Sequence, residues 1–226
     1  MATSAVAVIT GDLIASRRAD REAIYRHLDN TLDGLASRFE GAHARFRGDG
    51  FQLAMRMASA ALDAAVMLRA ELIAASPKGQ RWDARLSIAV GPSSWTPSSS
   101  LTDADDAPFV TSGRALDMLS QDQRHLVHAF SEMSPNCFDN SARLQAADAL
   151  LILYVDEMIG GWSPASAEVV AMKLAIENIT QRQLAEALGI RQPSVHKRLQ
   201  VARWELLDAT LNHFRHLPFT GSESNA

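Results

Sequence analysis

Cysteine is nearly absent: Cys137 is the one thiol in 226 residues. No disulfide can close within the chain, and no cysteine-based zinc cluster can form in it. A dominant charge is missing as well, since 22 Lys and Arg stand against 26 Asp and Glu for a net charge of -4. Long hydrophobic runs are also lacking. The strongest, Ala149 to Val155, is far too short to cross a bilayer. Met1-Ala2-Thr3-Ser4 offers no basic start, and the first apolar run is interrupted by Asp12, so no signal peptide is expected. These absences point to a cytoplasmic protein with no membrane partner. What is present is an ordinary globular composition, 47% hydrophobic and 21% charged, enough for one large domain or two small ones.

The apolar run Ala5-Val6-Ala7-Val8-Ile9 reads as a buried strand that leads through Thr10-Gly11 to Asp12. A helix follows to about Phe39, with Ile24, Leu28, Leu32 and Leu35 on one face. Phe46-Arg47-Gly48-Asp49-Gly50-Phe51-Gln52 places a carboxylate between two glycines, the pattern of a tight hairpin turn, with arms over 42–47 and 51–57. Residues 60–74 predict a helix with Leu62, Ala65, Val66, Arg69 and Ile73 on one face, and 82–91 a strand with Leu86, Ile88 and Val90 in phase. Residues 92–108 are rich in Pro, Ser, Asp and Thr and predict a mobile loop. A short helix over 113–119 and an edge strand over 125–130 complete an α+β fold of ferredoxin-like order. If the first strand and the hairpin are neighbours, Asp12 and Asp49 converge, and such a pair suits a hard divalent cation beside a nucleotide triphosphate.

The C-terminal third reads differently. Residues 141–159 predict a strongly apolar helix that Gly160-Gly161 breaks, and Ser163-Pro164 supplies the cap and first turn of the next. Residues 180–199 have the parts of a helix-turn-helix. Ala185 is small at the crossing, Gly189 takes the turn, and Leu184, Leu188, Ile190, Val195 and Leu199 form a shared core. The second helix presents Arg191, Gln192, Ser194, His196, Lys197 and Arg198 to base edges or phosphates. The same three helices also suit a packing or dimerisation module, an alternative that the near-neutral charge of this part keeps open.

With Ile9-Thr10-Gly11-Asp12-Leu13-Ile14-Ala15-Ser16, Gly48-Asp49-Gly50-Phe51-Gln52, Arg85-Leu86-Ser87-Ile88-Ala89-Val90-Gly91 and Arg114-Ala115-Leu116 in this order before the helix-turn-helix, the chain resembles the bacterial SatD family over nearly its full length. Its first half resembles the palm of class III nucleotide cyclases and diguanylate cyclases, and its helix-turn-helix resembles sigma-factor region 4. The resemblance implies that Asp12 and Asp49 hold Mg²⁺ or Mn²⁺. It implies further that Gly11, Leu13, Ile14, Ser16, Gly48 and Gly50 surround the phosphates of a nucleoside triphosphate or cyclic nucleotide. Arg114 is then the catalytic candidate that steadies phosphate charge. The chain departs from diguanylate cyclases at Gly50, where they carry an acid, and it lacks a Lys and Asp pair for reading a purine. Taken singly, Asp12 also suits a helix cap and Asp49 an ordinary turn residue.

The expected organisation is a cyclase-like palm over 1–135, a connecting helix over 136–162, a helix-turn-helix domain over 163–218 and a disordered tail over 219–226. The expected function is a homodimeric DNA-binding transcriptional regulator with a nucleotide sensor. The alternative is an active nucleotidyl cyclase or nucleotidyltransferase.

Overall fold

The computed structural model describes residues 4–14, 21–46, 48–119, 124–130 and 141–217. Ser16, Arg47, the 131–140 segment and the expected tail lie outside these residues. Among the described residues the chain is mixed α+β, with five strands in one sheet of order β2-β3-β1-β4-β5.

Strand β1 (Ser4–Ile14) sits at the centre of the sheet, antiparallel to β3 (Gly50–Met55) on one side and to β4 (Asp83–Ser93) on the other. β2 (Gly41–Arg45) closes the hairpin with β3, and β5 (Leu126–Phe130) runs parallel to β4 at the far edge. Alternation along β1 divides the two faces. Ala7, Ile9 and Leu13 enter the main core with α1 (Arg21–Arg38) and α2 (Ala61–Ala74). Val6 and Val8 enter a smaller core with Phe109 of α3 (Ala107–Leu119) on the opposite face.

Two expectations are revised by packing. α2 does not bury one face only. Nearly all its residues are buried, because α5 (Pro164–Ala175) lies against the side turned away from the sheet. The stretch after β4 is polar in composition but carries Trp95 and Leu101, both buried against Phe109. Asp106 accepts hydrogen bonds from the Ser93 hydroxyl and the Ser94 amide, which fastens the loop at its base and lets α3 begin at Ala107 rather than Gly113.

α4 (Ser141–Gly160) connects the sheet to the remaining helices. Ser163 caps α5 through its side chain, and Thr180 with Gln183 forms a reciprocal capping box on α6 (Gln181–Leu188). Gly189 ends α6 at φ +63°, a left-handed conformation that a side chain would strain, and α7 (Gln192–Val201) follows. Val169, Ile179, Leu184, Ala185, Val195 and Leu199 make a separate small core for α5, α6 and α7. α8 (Trp204–Arg215) then returns to the sheet unit, where Leu207, Leu211 and Phe214 join the main core.

A buried ionic network ties the units together. Arg69 of α2 has no solvent exposure and donates Nε and Nη2 to Asp83 at 2.8 and 3.0 Å and Nη1 to Asp156 of α4 at 2.6 Å. Asp156 also accepts from the amides of His125 and Leu126 at 2.7 and 3.2 Å. Arg81 adds a contact to Asp83 and donates to the Trp162 and Ile159 carbonyls at 2.7 and 2.9 Å, while the Trp162 indole donates to the Ala202 carbonyl at 3.2 Å. Burial pushes the Asp83 carboxyl up, but the Arg69 charge and hydrogen bonds, with Arg81, hold it below its ordinary range.

Candidate functional site

β1 and the hairpin bring the two aspartates to one rim of the sheet. Asp12 pairs with Gly50 across β3 and with Arg85 across β4, and the Leu13 amide donates to the Asp49 carbonyl at 3.2 Å. Their carboxylates, however, are bound to partners on opposite faces. Asp12 shares the face of Thr10, whose hydroxyl meets Ser112 of α3 at 2.7 Å and accepts from Gln52 at 3.1 Å. There the Arg85 guanidinium takes both Asp12 oxygens, Nε at 2.8 Å and Nη2 in a second contact. That hydrogen bond raises the Arg85 pKa further above its usual value. Asp49 instead accepts from the hydroxyl of Tyr25 on α1, the helix of the other face, and this bond raises the Tyr25 pKa. The Arg45 guanidinium lies 4.8 Å from the Tyr25 ring centre and pairs with Asp29, which steadies the arrangement.

As placed, this donor set does not fit a shared divalent cation. Asp12 is neutralised by an arginine directly opposite it, Asp49 turns to α1, and among the described residues no group of three His, Cys, Asp or Glu gathers to hold a metal. No step involving a metal is therefore derived for this rim.

The expected phosphate cradle is largely occupied by the fold itself. Gly11 is a close-approach position. A Cβ there would stand 2.5 Å from the Phe51 ring, 2.6 Å from Leu86 and 2.9 Å from the Arg85 carbonyl. Gly11→Ala is therefore expected to cost about 1–3 kcal/mol of stability, read by urea unfolding. Leu13 is a core residue whose amide is already bonded, and Ile14 pairs with Asp83 at the end of the sheet. Gly48 takes the turn at φ +87°, and the Gly50 carbonyl accepts from the Phe46 amide at 2.8 Å. Arg114 is exposed on α3, about 200° around the helix from Ser112, which faces the sheet. It is not brought to the rim.

At the other end, Arg191, Gln192, Ser194, His196 and Lys197 are all exposed along α7, over the buried Val195 and Leu199. Arg198 is partly exposed and paired with Glu168 of α5 at 3.0 Å. Arg191 occupies the N-cap without a capping bond from its side chain.

Sequence reasoning missed three groups. Tyr25 gives no local sign of its bond to Asp49. Arg69 does carry one, as a guanidinium in phase with an apolar stripe, which requires a buried acid. The third is a cavity of about 630 Å³ between the sheet unit and helices α5 and α8, well away from Asp12 and Asp49.

No family model matches the chain, and no curated protein matches it. Among solved structures it is similar to the active GGEEF domain of a diguanylate cyclase from Vibrio cholerae, at 14% identity and a TM-score of 0.42 over 57% of this chain and 85% of that one. A bacterial light-regulated adenylyl cyclase gives 14% identity and a TM-score of 0.43, covering 57% of this chain and 77% of the other. The monomeric guanylyl cyclase domain of the RhoGC fusion protein from the aquatic fungus Blastocladiella emersonii gives 18% identity and a TM-score of 0.38, over 51% and 75% of the two chains.

Proposed function

We propose that the protein is a DNA-binding regulator in which α6, the Gly189 turn and α7 act as a helix-turn-helix and the sheet unit responds to a nucleotide. The observation that carries this reading is the row Arg191, Gln192, Ser194, His196 and Lys197, exposed on a helix whose other side is fixed by a core of its own. A helix so held presents polar groups of the right kind to a major groove, and Arg191 adds a cation at its first turn for the backbone phosphates. Action as a homodimer follows from the small reach of one recognition helix. The exposed Leu150, Leu153 and Tyr154 on α4 supply an apolar seam for it.

A second reading, a nucleotidyl cyclase or nucleotidyltransferase, is favoured by the placement of Asp12 and Asp49 on adjoining positions of one rim. In that reading Asp12 and Asp49 would hold Mg²⁺ or Mn²⁺, which would require both acids to be free of Arg85 and Tyr25 and turned to the same face.

One pair of assays separates the readings. The full chain is incubated with Mg²⁺ or Mn²⁺ and each nucleoside triphosphate while pyrophosphate is measured, and its binding to duplex DNA is followed by fluorescence anisotropy. The regulator gives DNA binding and no pyrophosphate. Pyrophosphate release that disappears in Asp49→Ala establishes the enzyme instead.

A further inference from the structure

We infer that the cavity between the sheet unit and helices α5 and α8 binds a nucleoside phosphate, so that the ligand sits at the joint between the two units rather than at the Asp12 rim. The inference rests on the nucleotide part of the proposed function and gives that ligand a place.

The cavity measures about 630 Å³, the size of a small-molecule site. Arg38 enters from the end of α1 and Lys173 from α5, so each unit contributes one cation. Among the described residues neither is paired with a carboxylate. Arg38 donates Nη1 to the Ala175 carbonyl at 2.8 Å and stands 5.4 Å from the Phe39 ring centre. Lys173 donates to the Ile179 carbonyl at 3.0 Å and stands 5.5 Å from the Trp204 ring centre. Each cation has donors left over, and together they match a phosphate group. The third cation, Arg215, is held by Asp63, which leaves Glu177 and Asp208 as acceptors at the solvent side. Acids in that position repel a bare polyanion but suit ribose hydroxyls, which need an acceptor. Met57, 43% exposed, and Trp204 form an apolar wall for a planar base.

The backbone around the cavity is shaped by three helix ends. Among the described residues the non-glycine residues at positive φ are Glu40 at 52°, Asn178 at 57° and Arg203 at 57°. Asn178 lines the cavity, and the other two adjoin its lining residues Phe39 and Trp204. All three follow the C-terminal ends of helices, α1, α5 and α7, where a left-handed residue commonly closes a helix. A ligand bridging Arg38 and Lys173 fastens α5 to α1, and with α5 the α6–α7 pair, which gives nucleotide binding a route to the DNA-binding surface.

The test is titration of ATP and of GTP into the full chain in EDTA, followed by calorimetry. The expected result is saturable binding of at least one nucleotide, weakened tenfold or more in Arg38→Gln and in Lys173→Gln, retained in Lys173→Arg and unaltered in Asp49→Asn. Circular dichroism melts confirm that each variant is folded. Binding that survives Arg38→Gln and Lys173→Gln but is lost in Asp49→Asn overturns the inference and keeps the nucleotide at the rim. No binding of either nucleotide to the unaltered chain, with or without Mg²⁺, overturns both the inference and the nucleotide reading.

Discussion

Asp83→Ala is expected to lower the unfolding free energy by about 3–5 kcal/mol, because it leaves a fully buried guanidinium with one carboxylate where it had two. Arg81 loses its ionic partner at the same time, which loosens its hold on the Trp162 and Ile159 carbonyls. The loss therefore spreads to the junction with the C-terminal helices. Arg69→Met in the same chain removes the stranded charge, so the double variant is expected to lose less than the two single losses added together. Urea unfolding of the four proteins measures the difference. Strict additivity would show that Arg69 and Asp83 do not act as a pair.

The same network sets an acid limit on stability. Asp83 has a folded pKa below its ordinary 3.8, so its contribution is complete above about pH 4 and is lost as pH falls through the folded value. His125 beside it is shifted down from 6.5, first by burial and then by the Arg69 charge. A histidine lowered in the fold contributes fully above about pH 6.5, and that contribution declines as pH falls toward the folded value. Stability measured by unfolding from pH 8 to pH 3 is thus expected to fall in two stages, with the lower stage absent in Asp83→Ala.

Gln192→Ala and His196→Ala are each expected to reduce preference for a specific DNA site by about 1–3 kcal/mol, the discrimination carried by one good base contact. Lys197→Ala acts differently. A phosphate contact carries no sequence information, so this change weakens all duplexes alike and reduces the salt dependence of binding by about one counterion. Arg198→Ala is expected to have the smaller effect, since that side chain already serves Glu168. Anisotropy titrations over a range of salt separate these patterns, and equal, salt-independent losses for all four would remove α7 from the DNA interface.

Much of the fold could be read from periodicity. The alternation after Trp82, the Ile24-Leu28-Leu32-Leu35 stripe, the Ser163-Pro164 start and the Gly189 turn are all local signals, and each marks an element that is present. β1 ran past its expected end because Arg85, 73 residues away, neutralises Asp12 and lets a charged residue continue a strand. The loop after β4 misled for the same kind of reason, since its few apolar residues, Trp95 and Leu101, meet a helix from further along the chain.

The site was legible in part. Turn chemistry and strand order bring Asp12 and Asp49 to one rim, but which face each carboxylate serves depends on Arg85 and Tyr25. Neither partner can be assigned without the register and the seat of α1. The cavity lined by Arg38, Lys173 and Trp204 left no trace in the sequence, because its walls come from four helices that meet only after folding.

DNA recognition by α7 is the step on which the proposed function depends. Selection of bound duplexes from a random pool by the full chain, repeated with Gln192→Ala/His196→Ala, tests it most directly. The unaltered chain is expected to enrich a defined sequence and the double variant none. Enrichment of the same sequence by both proteins, or of nothing by either, would contradict it.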